Sequence, residues 1–285
     1  MNNIVVFGAS GQLGQCFKDT ADKEGISSIF FPSEAEANIL DLEALKKIFA
    51  NYKPAYSINC AAYTAVDKAE DERETALKIN KTGAENLARL CAENSSTLIH
   101  ISTDFVFKGD KSTPRKEEDP AEPVNVYGET KLDGERVVEA LLKKYFIVRT
   151  GWLYSEYGNN FVKTMLKLGA ERGELKVVAD QAGTPTYAMD LASCIMDIIK
   201  SESAAYGTYH YSNEGIASWY DFAKAVFEIY GIAVQVIPVK TEEYITKAKR
   251  PPYSVMDKSK IKNTFKIEIP YWRESLVTCI NKLKQ

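Results

Sequence analysis

The sequence predicts an α/β protein built on a doubly wound parallel sheet, and three observations lead to that class. Short apolar runs bounded by turn residues recur at 4–7, 26–31, 55–60, 97–102 and 146–150. Segments of helical periodicity separate them, so five strand–helix alternations fall within the first 150 residues. The first run passes directly into a glycine-rich turn and then a helix, the usual entry to a phosphate-binding βα unit.

Taken in order, residues 4–7 form the first strand, and Gly8, Gly11 and Gly14 follow it at intervals of three. Glycine permits a tight turn and close approach of backbone to a pyrophosphate. The phosphates then meet the free N–H groups and positive dipole end of the next helix. With Ser10, Gln12 and Leu13 between the glycines, the stretch reads as a Rossmann-type dinucleotide turn, and the expected cofactor is NADPH or NADH. The second strand, 26–31, ends in Phe31 and Pro32, with Glu34 and Glu36 just beyond. An acidic residue about 20 positions past the glycines often contacts the adenosine ribose. Glu34 suits that role and suits a solvated loop equally, and no arginine stands beside it to take a 2′-phosphate. The choice between the two cofactors stays open.

A helix at 42–51 leads to the third strand and then to Ala61, Ala62 and Tyr63, small residues first, where a cofactor can lie against the backbone. One long helix is expected over 66–93. The fourth strand brings Ser102, Thr103 and Asp104 to the carboxyl edge of the sheet, where such folds bind ligands. A threonine hydroxyl there can hydrogen-bond a substrate carbonyl or make a local turn bond. His100 and His210 sit in strand patterns and read as packed core histidines. Residues 108–123, rich in charge and proline, read as a mobile surface loop.

Tyr127 and Lys131 come next, four residues apart at the head of a helical run through Leu132, Val138 and Leu142. At that spacing two side chains share one helix face. A free phenol titrates near ~10. An ammonium close by favours the phenolate and lowers that value, which would make the tyrosine a usable acid at neutral pH. The pair is common on ordinary helix surfaces; the residues upstream give it weight.

Beyond residue 150 the rhythm weakens. Asn160 opens a helix, 177–178 reads as a sixth strand, and a helix at 190–200 is expected to pack back on the first sheet. The segments 206–211, 219–230 and 234–239 suggest a smaller mixed α/β unit. The expected division is a dinucleotide-binding domain at 1–150, with 175–200 packed back on it, and a substrate domain at 151–285.

Composition narrows the function classes. A net charge of −3 and the absence of a basic run exclude a nucleic-acid or anionic-membrane footprint. No apolar run approaches the ~20 residues of a membrane span, and the N-terminus enters a strand without a leader pattern, so the expected location is cytoplasmic. Five cysteines at irregular spacing read as free thiols, and no His, Cys and carboxylate cluster has metal-ligand spacing.

Gly8, Gly11 and Gly14, then Ser102, Thr103 and Asp104, then Tyr127 and Lys131, in that order, resemble the extended short-chain dehydrogenase/reductases. Within them the chain is similar to the branch that acts on 4-keto-6-deoxy-hexoses linked to dTDP. That likeness also runs through Asn59 to Thr64, Val66 to Glu70, Arg149 to Tyr154, Asp180 to Thr186 and Arg250-Pro251. It implies reduction of the sugar's C4 ketone, with Tyr127 as proton donor, Lys131 stabilising the phenolate and touching the nicotinamide ribose, and Thr103 bonding the ketone oxygen. It also implies cofactor contacts from Asp41 and from the glycine and alanine turns, and substrate contacts from Asp104, Phe105, Trp152, Asn160 and Arg250. Gln15 stands where some relatives carry a glutamate at an intersubunit metal, so no metal is expected, and a homodimer remains possible. The same residues would serve a sister keto-sugar, whereas a non-catalytic regulatory relative would not need Thr103, Tyr127 and Lys131 together.

Overall fold

A computed structural model describes residues 2–285. The buried strand β1 (Ile4–Phe7) runs into α1 (Gln12–Glu24), which ends at Gly25 in the left-handed conformation. Then come β2 (Ile29–Phe30), α2 (Leu42–Tyr52) and β3 (Tyr56–Asn59). Two short helices, α3 (Val66–Ala69) and α4 (Arg73–Leu77), precede a π turn at Lys78–Thr82 and α5 (Gly83–Glu93). β4 (Thr97–Thr103), a 3₁₀ turn at Asp104–Val106, α6 (Val126–Leu141) and β5 (Tyr145–Thr150) follow.

The second part of the chain contributes β6 (Leu153–Tyr154), α7 (Phe161–Glu171), β7 (Glu174–Val178), β8 (Ala182–Gly183) and β9 (Thr186–Tyr187). Next are α8 (Ala188–Lys200), β10 (Gly207–His210), β11 (Ala217–Ser218), α9 (Trp219–Tyr230) and β12 (Gln235–Val239). The chain closes with α10 (Ser259–Phe265) and α11 (Trp272–Leu283).

Six strands form one sheet in the order β2-β1-β3-β4-β5-β10, every neighbour parallel. The order turns back between β1 and β3, which opens a crevice at their carboxyl ends. Helices cover both faces. Leu13, Cys16 and Phe17 of α1 and Ile195 and Ile199 of α8 belong to one apolar layer. Leu45 and Phe49 of α2, Leu87 of α5 and Val138 of α6 belong to the other. A third cluster joins α7, α9 and α11 through Val162, Phe222, Val226 and Leu276.

Several expectations need correction. The segment at 206–211, expected in the smaller unit, supplies β10, the sixth strand of the main sheet, paired with β5. The strand around 177–178 instead pairs with β12, away from that sheet. A short run can be recognised as a strand from its pattern, but its partner depends on the path of the whole chain. The helix expected over 66–93 is broken into three with a π turn. There the buried Asn80 accepts from Tyr63 N at 2.9 Å and donates to Thr130 Oγ1 at 3.0 Å. Residues 108–123 carry no helix or strand, yet Arg115 is buried, and its backbone pairs with Val255 and Asp257 at 2.9 and 2.7 Å. Among the described residues, no helix is long and apolar enough to cross a membrane.

Below the edge formed by β4, β5 and β10 lies a buried polar layer. Arg149 meets the Glu135 carboxylate at 2.6 Å, and both side chains are almost fully buried. The Ser102 hydroxyl donates to the same carboxylate, and the guanidinium lies 5.1 Å over the Phe107 ring. His210 stands beside Arg149; burial and that positive charge push its imidazole down to about 3, so it stays neutral. His100, deep in the sheet, is likewise held well below its usual range by burial.

Removing one partner of a buried ion pair strands the other charge. Arg149→Met is therefore expected to cost about 3–5 kcal/mol in urea unfolding. The double variant Arg149→Met, Glu135→Leu is expected to recover most of that loss. An equal loss in both proteins would mean that packing, not charge, is what Arg149 supplies.

Candidate active site

At the crevice, Gly8 adopts φ +76°, and a Cβ there would sit 2.6 Å from Ala61 N, so the turns after β1 and β3 touch backbone to backbone. Gly14 packs against Ala9 in the same way, with a would-be Cβ 2.5 Å from its Cα. Gly11 heads α1 without a side-chain cap. A Cβ on it would meet nothing nearer than 3.4 Å, so its outer side is open. The first-turn amides are thus available to an anion, and the residues present fit a dinucleotide pyrophosphate. Ser10 is exposed at the rim and Leu13 is buried behind it.

The neighbouring turns are held from within. Asn59 Oδ1 accepts from Ala61 N at 3.1 Å, and the Tyr63 hydroxyl donates to Glu72 at 2.9 Å. Ala62 is half-buried between them. Asp41 caps α2 by accepting from Ala44 N at 3.0 Å, so its carboxylate has a structural task of its own.

Thr103, the last residue of β4, is 4% exposed. Its Oγ1 accepts from Phe105 N at 3.2 Å and donates to Asp104 Oδ1 at 3.1 Å, so the local turn bond allowed for in the sequence is made. Tyr127 lies in the first turn of α6. Its ring is partly accessible while its hydroxyl end lies deep. Burial pushes the phenol up to about 12; the Thr103 hydroxyl pulls it down as a hydrogen-bond partner, and the Asp104 carboxylate adds to the rise. The lowered phenol expected from the lysine is not found. Lys131 is fully buried and donates from Nζ to Ile101 O at 2.6 Å. Its own ammonium is brought down to about 8 by burial, against the pull of Glu135. Desolvation outweighs pairing for both groups.

The 3₁₀ turn and the helix are pressed together. A Cβ on Gly128 would lie 2.2 Å from Phe105 O, and one on Gly151 would lie 2.6 Å from the Asp104 carboxylate. The Phe105 ring meets that of Tyr127 edge-on at 5.6 Å. Asp104 is buried, its Oδ2 has no hydrogen-bond partner among the described residues, and burial raises its carboxyl to about 6 against the pull of the Ser254 and Thr103 hydroxyls.

Beyond this edge runs a groove of about 690 Å³ between α7, β7, Trp219 and the segment from Tyr244 to Arg250. Apolar side chains (Phe161, Met165, Leu168, Val177) form its floor, and Arg172, Lys176, Gln181 and Arg250 stand around it. Arg250 is engaged in a two-pronged contact with Asp67 at 2.6 and 3.2 Å. Asn160 caps α7 through Lys163 N and donates to Gln12 Oε1 at 2.9 Å, which links the glycine turn to the groove. Trp152, with φ +50°, stacks on Trp219 at 3.4 Å between ring centres and lies against Gly183.

The structure therefore places Thr103, Asp104, Phe105, Tyr127 and Lys131 at one edge, near the glycine turn, with Arg250 lining the groove and Trp152 and Asn160 beside its lining residues Trp219 and Phe161. The sequence does not single out Asn80, Asn125 or Glu135, and it includes Asp67 only within the Val66 to Glu70 stretch, because each works through partners far along the chain. A buried-type position occupied by asparagine was the one available hint at residue 80. Among the described residues, no group of three or more His, Cys, Asp or Glu side chains converges as metal ligands would.

Comparison with known proteins shows the family to which the chain belongs. The chain matches the RmlD substrate binding domain over residues 1–285. It is 40% identical to a dTDP-4-dehydrorhamnose reductase of Aggregatibacter actinomycetemcomitans, with 97% of each chain covered. The crystal structure of a dTDP-4-dehydrorhamnose reductase from Clostridium acetobutylicum superposes with a TM-score of 0.94 at 43% identity, covering 99% of this chain and 100% of that one. A dTDP-4-dehydrorhamnose reductase from Bacillus anthracis, in complex with NADP, gives 0.94 at 41% identity over 99% of both chains.

Because the folded state raises the Asp104 carboxyl, it holds that proton more tightly than the unfolded chain does. The stability this group contributes is present at low pH and is lost as pH rises from the ordinary 3.8 through about 6. Asp104→Asn, similar in size and unable to ionise, is expected to melt above the parent near pH ~8, by a margin that shrinks toward pH ~4. Thermal melting across that range checks this; a margin independent of pH would show that ionisation is not the cause.

Proposed function

The chain belongs to the family of the RmlD substrate binding domain, and from that premise we propose that it reduces the C4 ketone of dTDP-4-dehydro-L-rhamnose to give dTDP-L-rhamnose. The observation that carries this reading is that the Tyr127 phenol meets the Thr103 hydroxyl while Lys131, one turn on in the same helix, holds Ile101 O of the same strand, near a glycine turn that fits a pyrophosphate. The cofactor is NADPH or NADH, and Gly8, Ser10, Gly11, Gln12, Leu13 and Gly14, with Ala61, Ala62, Tyr63 and Asp41, would hold it. When bound, it supplies the hydride to C4.

The protein's own groups manage the oxygen. With its phenol raised to about 12, Tyr127 is fully protonated at neutral pH and has a proton to give. As C4 becomes tetrahedral, the carbonyl π bond opens and the oxygen takes the Tyr127 proton, leaving a phenolate. The Thr103 hydroxyl, which lies beside that phenol, would turn from Asp104 Oδ1 to donate to the same oxygen, so that the charge developing there meets a donor. Lys131, with an ammonium near 8 held on Ile101 O, supplies the positive charge that makes the phenolate tolerable until solvent returns the proton.

The substrate reading divides the labour as the two halves of the chain suggest. The main sheet, five of whose six strands come from 1–150 and the sixth from 207–210, carries the cofactor, and the groove of 151–285 takes the dTDP group. Trp219 and Phe161 offer ring faces for the base, and Arg250 offers a planar cation for the diphosphate. Asp104, Phe105, Trp152 and Asn160 then frame the sugar.

Tyr127→Phe is expected to lower kcat by ~10²-fold or more with cofactor binding intact, since a positioned general acid contributes about that much. Stopped assays and cofactor titration separate the two effects, and unchanged turnover would remove Tyr127 from its role. Lys131→Ala is expected to lose both rate and cofactor affinity. Cofactor consumption with dTDP-, UDP- and CDP-linked 4-keto-6-deoxy sugars, with products identified by NMR, tests the substrate; preference for another nucleotide or sugar would overturn that part of the reading.

A further inference from the structure

The geometry points to Asn125 as a positioning residue that couples the groove to the catalytic tyrosine. This inference rests on the reading that the groove takes the nucleotide of the substrate. Asn125 is the N-cap of α6, two residues before Tyr127, and its Oδ1 accepts from Gly128 N at 2.8 Å. A cap needs nothing more. Yet the same side chain also donates from Nδ2 to Lys249 O at 2.8 Å, across 124 residues of sequence. Asn125 is 8% exposed, so this second bond is made away from water.

Lys249 belongs to the segment that closes one side of the groove. Tyr244, Thr246 and Arg250 of this segment line the groove. The segment is strapped to the turn at α3 by three further contacts. Ala248 N donates to Asp67 at 3.0 Å, Arg250 pairs with Asp67, and Lys247 pairs with Asp71. That turn in its own right holds the tyrosine helix, because Glu70 accepts from Val126 N at 2.9 Å. The strap and the first turn of α6 are therefore one connected body, and Asn125 is the direct link between them. A ligand that orders the strap would fix the phenol in the same step, setting the sugar's ketone and its acid in one frame. Misplacement of such groups by about 1 Å costs on the order of 10²-fold in rate.

Asn125→Asp separates the two roles. Aspartate still accepts from Gly128 N, and its charge suits a helix N-terminus, but it has no N–H for Lys249. Asn125→Ser, another capping residue and too short to reach Lys249, serves as the second variant. Both full-length proteins are expected to melt close to the parent and to bind NADPH unchanged, while kcat with dTDP-4-dehydro-L-rhamnose falls by about 10- to 100-fold. Hydrogen exchange with dTDP as the probe supplies a readout that a purely structural cap would not move. In the parent, dTDP is expected to slow exchange in both 241–253 and 124–131; in the variants, protection is expected in 241–253 alone. Retained protection of 124–131 in the variants, or a parental kcat, overturns the coupling. If dTDP protects neither 161–178 nor 241–253 in the parent, the nucleotide reading of the groove falls, and the coupling falls with it.

Discussion

The contact on which the site depends is backbone against backbone, where the first turn of α6 lies on the carbonyl of Phe105. Only glycine at 128 allows it, since a methyl group there would lie 2.2 Å from that oxygen. The approach brings the phenol of Tyr127, carried by a helix, within reach of Thr103, carried by the end of a strand. Glycines at 8 and 151 do the same for the pyrophosphate turn and for Asp104. At each point a missing side chain sets how near two chemical groups can come.

Desolvation then sets their charge states. Tyr127 is held protonated, the Lys131 ammonium is brought down to about 8 and the Asp104 carboxyl is raised, each chiefly by burial and less by its neighbours. A phenol so held keeps its proton at neutral pH and can still give it to an alkoxide, a stronger base, which is the transfer a ketone reduction requires. Beneath it, the Arg149–Glu135 pair and the Ser102 hydroxyl form a rigid polar floor under β4. The energetic cost of burying these groups is offset by packing and mutual pairing, and the site above inherits their order.

Two of the links that join the half carrying the glycine turn to the half carrying the groove are built alike. One runs from Gln12 to Asn160 and the other from Asn125 to Lys249. Both use an amide side chain at the head of a helix, where the cap occupies one end of the amide and the other end is free to reach across. A substrate spanning the two halves would therefore touch elements that are already in register with one another.

Local pattern was enough for much of this protein. The apolar runs of β1, β3, β4 and β5, the glycine spacing after β1 and the four-residue step from Tyr127 to Lys131 are all properties of neighbouring residues, so periodicity and turn chemistry reveal them directly. The placement of β10 in the main sheet, the π turn that aims Asn80, the raised phenol of Tyr127 and the reach of Asn125 to Lys249 depend on residues far apart in the chain and on how much water the fold excludes. A strand's partner and a buried group's proton affinity are set by everything packed around them, and only the tertiary structure brings those surroundings together.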